Sequence, residues 1–583
     1  MPERPDFILP TIKISGRALH GQHLHLVEEV VVEQSLINAD MFTLTFIDDE
    51  ASLVTDLGLA VGAEVKLECV TAGEGGGVLI SGEVTAIEAR HDDQGSRTVV
   101  RGYDKGHRLF SGKHTETYRN VTISDVARQI ASRAGLQQGE IDDSGTVLDV
   151  VSQHNQSDWD FLNDHATEIG FEVLVQEGKL HFREPPDSDE GPPPGDFESS
   201  DPNTLVYGDD LLSFQPRISG AQQVGNVEVR SWDPSQKQAI VSTASAAADH
   251  ADLDMAPSML ASLFGDRTHS HVSTPHRSQS QTDKEASAIA QELGSSFAEA
   301  DGVCVGTPLV HAGAKISISR VGEQFTGKYT ITEARHVFDG YDGYTTHFTI
   351  SGRQDRSLVA LASGATARQP DFHGVVCAQV TDNNDPDDHG RLKLKFPWLN
   401  DKYETDWVRM MHPGAGPDSG IVWMPEKDDE VLVAFEHGDI RQPYVLGALF
   451  NGVDKPKLGD GLFDNGKVKR RGMISRLGHM MLFFDADDKK GIYIVSEDGN
   501  LKLTMSETDK KIEIKTSKHT ITLDDDANKV TIESSGDMDL KAGDSGTMNI
   551  TAGTINIKAS SGGATVDGGG GAVTVKGTQI KLN

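Results

Sequence analysis

The chain has 583 residues, enough for roughly three to five domains, and its 37% hydrophobic and 25% charged content is that of a globular protein, not a disordered one. Its 89 acidic against 54 basic residues give a formal net charge of -35, which argues against a nucleic-acid binder because phosphate neutralisation dominates that affinity. Cys69, Cys304 and Cys377 lie far apart with no CxxC, so neither a disulfide framework nor a thiolate zinc site is expected.

The opening MPERPDFILPTIKISG has no apolar h-region, so the chain is expected to be made in the cytoplasm without a secretory signal. No apolar run reaches about 18 residues, and no spanning helix is expected. Residues 1–110 read as a first β-barrel or sandwich of short strands broken by Gly and Asp clusters. Residues 111–202 form a helical insertion and an acidic Pro/Gly linker. Its first helix opens on Thr122 and Asp125 in capping-box spacing, carries Val126 and Ile130, and stops at Gly135. Its second opens on Ser157 and Asp160, carries Phe161, Leu162 and Ile169, and stops at Gly170; a strand pair then turns at Glu177-Gly178. A second β-barrel is expected over 203–365, with a helix in TDKEASAIAQELGSSFAEA. Residues 371–453 read as a small closed barrel of OB type, with turn residues Asn384, Asp385, Pro386 and Gly390, and with Gly447 in its last strand for close backbone approach. A connector, 454–478, holds the one basic run, KVKRR at 467–471, which reads as a solvated linker or interface patch.

From Gly491 to Asn583 there is one aromatic residue, Tyr493, and no proline. Apolar pairs recur at i, i+2: Ile492/Ile494, Leu501/Leu503, Ile512/Ile514, Ile521/Leu523, Val530/Ile532, Met538/Leu540, Met548/Ile550, Ile555/Ile557, Val573/Val575 and Ile580/Leu582. Such a pair places both side chains on one strand face, and a strand every ~9 residues is a solenoid-like signature. Two apolar side chains per strand are too few to hold a lone ribbon against its ordering entropy. Three chains about one axis supply the missing core, so residues 479–583 are expected to form a trimeric, solenoid-like β-structure that also pairs its strand edges.

The stretches DPDDHGRLKLKFPW, GIVWMPEKDDEVLVAFEHGD and QPYVLGALFNG resemble the VgrG family of contractile injection spikes, related to the hub and cell-puncturing spike of contractile-tailed phages. The motif falls on Gly390, Arg391, Phe396, Pro397, Trp398, Glu430, Phe435, Gly438 and Gly447. GHRLFSG, VTISDVARQIASRAGL, HNQSDWDFLNDHATEIGFEVLVQEGKLHFR and VRSWDPSQKQ resemble the hub part, so the likeness runs along essentially the whole chain. It implies a mainly β architecture of two hub barrels, an OB-fold barrel and an intertwined trimeric β-helix needle. It further implies a homotrimer contacting inner-tube and baseplate proteins, a PAAR-type tip protein seated near Ile580 and Leu582, effectors carried in trans, and a target membrane met mechanically. Assembly into a contractile particle would deliver it outside the cell or into a target cell. The resemblance fits a type VI apparatus and an extracellular phage-tail-like particle; the absence of an effector extension after QIKLN leans toward the extracellular kind.

Catalytic signals are weak. HGQHLHL puts His23 and His25 on one strand face with no companion ligand pattern, and THSHVSTPH reads as a His-rich surface loop. DNNDPDDHG fails the calcium-loop test because Pro386 intrudes and no Glu stands at the twelfth position. No HExxH, GxSxG or P-loop occurs, and no carboxylate pair stands out as a glycosidase dyad. The expectation is a non-enzymatic protein without cofactor or metal. The alternatives are a trimeric polysaccharide-degrading tailspike enzyme, against which the hub-like first 360 residues speak, and a surface adhesin, which would need an export signal and anchor.

Overall fold

The computed structural model describes residues 10–70, 76–93, 374–399, 403–458 and 461–582, and 95–353 apart from 198, 200, 234, 235, 237, 266, 273, 341 and 342. The protein is mainly β, and it gathers into two compact units, 1–451 and 452–583.

In the first unit, strands Val27–Ser35, Met41–Ile47 and Gly95–Asp104 alternate so that Val30, Val32, Phe42, Leu44, Phe46 and Val100 are fully buried. The two hub halves expected as separate barrels share one continuous sheet of 11 strands. Its seam is the antiparallel pairing of Val27–Ser35 with Glu333–Asp339, Val31 standing opposite Val337. The run Val30-Val31-Val32 is buried on both faces, so this strand is central and its second edge takes a partner from the later half. The helical insertion thus separates the halves in sequence but not in the sheet. Each half still has its own core, one around Phe42, Leu44 and Phe46, the other around Phe297, Ile316 and Tyr329.

His336 sits at the seam, fully buried, its Nδ1 3.0 Å from the Tyr344 hydroxyl and its Nε2 3.2 Å from Gln34 Oε1. Burial pushes its pKa down to about 3, so the ring is a neutral hydrogen-bonding group in the core. His23 and His25 do not share a strand face; they lie in a single helical turn, Gln22–His25, because Gly21 at φ +59° ends the preceding extended segment.

The insertion folds around its own core. Helix Ile123–Ala134 has the complete capping box, Thr122 accepting from the Asp125 amide and Asp125 from the Thr122 amide, and ends at Gly135 with φ +70°. Helix Asp158–Ile169 is capped by Ser157 and ends at Gly170 with φ +78°. Val126, Ile130, Phe161 and Leu162 from the two helices are fully buried together. The turn at Glu177-Gly178 joins Glu172–Gln176 to Lys179–Arg183, both turn residues having positive φ as a tight hairpin requires. The later helix runs Gln279–Ser295; the AEA end of the expected helix belongs instead to strand Ala298–Val305, paired with Leu211–Ile218.

The OB barrel has five strands in the order Lys393–Lys395, Val375–Asp382, Glu430–Phe435, Pro443–Ala448, Arg409–Met410, and the Leu392–Val408 bridge closes it. Phe396, Val431, Val433 and Val445 fill it with no exposure.

Candidate functional site: an assembly face

The second unit differs in kind. Seven strands form an antiparallel meander: Arg470–Ile474, Met480–Ala486, Lys489–Val495, Lys502–Ser506, Lys511–Lys515, His519–Asp524 and Lys529–Ser534. The sheet therefore starts inside the stretch read as a connector, and part of KVKRR is its first strand. Tight turns set the register. Asp498 caps its own turn by accepting from Asn500 N, and Gly499 (φ +69°) and Asn528 (φ +49°) supply the left-handed positions.

That register stacks like on like. Met473, Met481, Ile494, Leu503, Ile514, Ile521 and Ile532 are successive cross-strand neighbours, and so are Phe483, Ile492, Met505, Ile512, Leu523 and Val530. Period-2 alternation puts both rows on one face of the sheet. The opposite face carries Thr504, Glu513, Thr522 and Thr531 in one row and Ser506, Lys511, Asp524 and Lys529 in another. Lys511 and Asp524 there form an ion pair of 3.0 Å. Near the start of the meander this second face is covered, where Leu482 and Phe484 are buried and Lys489 lies 4.3 Å from the Phe484 ring centroid.

The apolar rows are open. Ile514 is 46% exposed, Leu523 44%, Ile532 52% and Val530 66%, values that a folded β-sheet tolerates only where something else covers it. Among the positions read from sequence, Ile492, Ile494, Leu503, Ile512, Ile514, Ile521, Leu523, Val530 and Ile532 fall in these rows. Leu501 does not. The Ser496–Asn500 turn delays the strand to Lys502, so Leu501 is a turn residue and Met505 completes the pair with Leu503. Met505 was legible as an i, i+2 partner of Leu503; only the turn chemistry of SEDGN chooses between the two.

Beyond Ser534 the pattern continues without intrachain pairing. Among the described residues 535–582 no strand is hydrogen-bonded to another, and Met538, Leu540, Met548, Ile550, Ile555, Ile557, Val573, Val575, Ile580 and Leu582 are all exposed. Val566, absent from the expected pairs, is exposed as well.

In the OB barrel, Gly390 turns at φ +69° into Arg391, whose guanidinium and amide both reach Asp385 (Nη2–Oδ1 2.7 Å, N–Oδ2 3.1 Å). Arg391 holds the Asp385 carboxyl well below the usual carboxylate range. DNNDPDDHG is thus a turn organised on an internal ion pair. Phe396 is core, Pro397 opens the turn after it, and Trp398 donates to Cys377 O at 3.0 Å. Glu430 accepts from Asn451 at 3.0 Å, Phe435 is buried, and Gly438 turns at φ +83°. Gly447 does not serve close backbone approach: a Cβ there would meet nothing within 4 Å. It flanks a β-bulge instead, the register slipping between Leu432 opposite Gly447 and Val433 opposite Val445.

Arginines fasten the OB barrel to the hub. Arg441 makes two bonds to Glu168 (3.1 and 2.9 Å) while also held by Asp439. Burial alone would raise Glu168, but Arg441 and His165 outweigh it and hold the carboxyl well below its usual range. Arg277 pairs with Glu436 and reaches Gln442 at 3.0 Å, and Arg119 reaches Glu404 O at 3.0 Å. A cavity of about 470 Å³ lies at this joint, lined by residues that include Asp149, Lys284, Trp407 and Tyr444. The THSHVSTPH segment is not a free surface loop. Helix residue Glu285, 3% exposed, accepts from His276 Nε2 at 2.8 Å and from Thr274 at 2.7 Å, with His271 Nε2 at 3.4 Å, and Thr268–His271 is a strand paired parallel to Asn226–Val229. Among the described residues no group of three or more His, Cys, Asp and Glu side chains is arranged to hold a metal ion.

Two family models match the chain. A family model described as the Alg8 N-terminal domain matches residues 6–339. A second, the type VI secretion system/phage-baseplate injector OB domain, matches residues 376–450. The type VI secretion system spike protein VgrG2a of Pseudomonas aeruginosa is 35% identical over 74 residues, which are 12% of this chain and 9% of that protein. The actin cross-linking toxin VgrG1 of Vibrio cholerae is 36% identical over 76 residues, 12% of this chain and 7% of that protein. The matched stretch is therefore a tenth or less of these curated relatives' length. Among solved structures, a chain of the half-lidded Francisella PdpA-VgrG complex has the same fold, with a TM-score of 0.50 at 11% identity over 91% of this chain and 88% of that one.

Proposed function

Because the chain belongs to the VgrG family of spike proteins, with the Alg8 N-terminal domain and the injector OB domain in that order, we propose that it is the homotrimeric spike at the tip of a contractile injection apparatus. The observation that carries this reading is the pair of exposed apolar rows over Met473–Ile532, continued by exposed pairs to Leu582. A face of this length costs solubility unless it is covered, and two further copies of the same face cover it without any other partner. Burying one such side chain contributes roughly 1.5–3 kcal/mol, and every one counts three times in a trimer.

In this reading the hub sheet contacts the inner tube and baseplate, the OB barrel joins hub to needle, and the needle carries the thrust of contraction to a membrane. A small conical PAAR-type protein caps the end at Ile580 and Leu582, and effectors travel on that cap or in the tube. The role is mechanical and no reaction is assigned to the chain. Stiffness is the property needed: strands whose edges are all paired cannot shear without breaking many hydrogen bonds together. Residues 535–582 find their strand partners in the neighbouring copies. A trimer of charge near three times -35 stays soluble and clear of anionic surfaces until driven into one. Either a type VI apparatus or an extracellular particle accommodates such a spike.

Hydrogen–deuterium exchange on the full-length protein tests this directly. Backbone amides between Met538 and Val575 are expected to exchange as slowly as the meander, since interchain ladders would protect them. Free exchange throughout that segment in the assembled protein would overturn the intertwined needle.

A further inference from the structure

The cavity of about 470 Å³ between the insertion and the OB barrel has a sheet edge for one wall. Residues 148–152, consecutive in strand Leu148–Gln156, border it, and no residue of the paired strand His114–Val121 does. Side chains alternate between the two faces of a sheet, so a cavity lying over one face would meet every second residue. This one meets all five and therefore runs along the edge of the strand, on the side away from His114–Val121. That edge carries no neighbour, because the two strands form a sheet by themselves. Every second residue of such a strand turns its N–H and C=O away from the ladder. Among the described residues, no backbone group of 148–151 is hydrogen-bonded outside the pairing with His114–Val121. Residues 405–409 of the OB barrel border the same cavity. Its volume is that of a pocket for a small ligand or a few residues of peptide, too little for a second sheet.

The polar groups left over in this slot are mostly acceptors. Arg441 is held by Glu168 and Asp439, Arg277 by Glu436, and Arg391 by Asp385. Lys284 donates to Ser144 O, and the Arg409 guanidinium lies 5.6 Å from the Tyr444 ring centroid. Asp149 and Asp406 border the cavity, are exposed, and form no ion pair among the described residues. His165 adds a buried acceptor, its side chain only 3% exposed. Its Nδ1 stands 3.2 Å from the Glu168 carboxylate, which takes that ring proton, and its Nε2 has no partner among the described residues. The chain's net charge of -35 adds to the preference for a basic ligand.

We propose that this slot is a peptide-binding site, in which an extended, basic segment of a partner protein adds as a third strand along 148–151. Main-chain hydrogen bonds to the open edge supply affinity, and alternate side-chain positions supply selectivity. Lys or Arg side chains of the segment meet Asp149 and Asp406, and a donor of the segment meets His165 Nε2. Four residues of edge span about 13 Å, so the recognised core is about four or five residues long. An extended chain satisfies what a compact ligand leaves unmet, since it offers donors and acceptors at the repeat of the strand it joins.

The test uses the full-length protein and a capped heptapeptide of alternating valine and lysine, read by calorimetry and by hydrogen–deuterium exchange at physiological ionic strength. Saturable binding of one peptide per chain is expected, with new protection of the outward amides of 148–151. Two further peptides carry N-methyl groups on alternate amides, one on the valines and one on the lysines, with side chains and charge unchanged. Only alternate amides face the ladder, so one methylated peptide is expected to bind about tenfold more weakly and the other nearly as well as the parent peptide. Asp149→Lys with Asp406→Lys, both at exposed positions, is expected to weaken binding about tenfold. Equal binding by the two methylated peptides overturns strand addition, and so does a parent peptide that shows no saturable binding. Unchanged affinity in the double variant overturns the assignment of a basic partner. Slow exchange throughout 148–151 before any peptide is added overturns the site itself, because another copy of this chain would then hold the edge.

Discussion

The two units of this chain solve the same physical problem in opposite ways. The hub cores and the OB barrel bury large apolar side chains, so that Phe42, Phe161, Phe297 and Phe396 are essentially unexposed within one copy. The meander and the segment after it contain nearly as regular an alternation, yet Ile514, Leu523 and Val530 stay on the outside. The difference is one of geometry, not composition. The hub halves and the insertion each close on a core of their own, whereas a single meander five to seven residues wide has nothing to fold back on. Apolar periodicity therefore says which face is buried, and only the number of layers a chain can build says whether that burial happens within it.

The strongest way to break the comparison is to spoil the rows. Ile514→Asp with Ile521→Asp places two facing carboxylates in the proposed core of every copy, six per trimer. The expected result is complete loss of assembly at micromolar concentration in size-exclusion light scattering, with the hub's thermal transition unmoved. Phe396→Ala should do the converse. It opens a cavity in the OB barrel and costs about 3–5 kcal/mol in chemical denaturation, leaving residues 470–534 assembled.

Acid probes a buried carboxylate of the hub. Burial would raise Glu285, but the bonds from His271, His276 and Thr274 bring its pKa down to about 2. A depressed carboxylate contributes stability that is present above its unfolded value near 4.3 and is lost as pH falls toward about 2. That amounts to about 2–3 kcal/mol. Hub stability followed by circular dichroism should fall across this window, and Glu285→Gln should flatten the fall. Smallest of all, Gly447→Ala should change OB stability by less than about 0.5 kcal/mol, since nothing approaches the added methyl and its backbone is not left-handed. A larger loss in equilibrium denaturation would mean that the bulge needs glycine.

Much of this was legible in the sequence where local chemistry decides the outcome. Thr122 with Asp125, Ser157, Gly135 and Gly170 bound the two insertion helices because caps act over three or four residues. The i, i+2 pairs mark the exposed rows because strand parity is a local property. What was not legible depends on distant partners. The seam between Val31 and Val337 joins residues some 300 positions apart, and no local signal says that two hub halves share one sheet. The strand Thr268–His271 pairs with Asn226–Val229, some 40 positions earlier, and His271 and His276 meet Glu285 of a later helix, so a His-rich segment resembled a free loop. Leu501 and Met505 both satisfied parity, and the choice fell to the Asp498-Gly499 turn.

The central claim is that the needle's missing core is supplied by two further copies, and the molar mass of the purified full-length protein tests it most directly. Light scattering should give three times the 62.9 kDa chain mass, with the Ile514→Asp/Ile521→Asp variant falling to single chains. A stable parent particle of 62.9 kDa whose residues 470–582 remain folded would contradict the account.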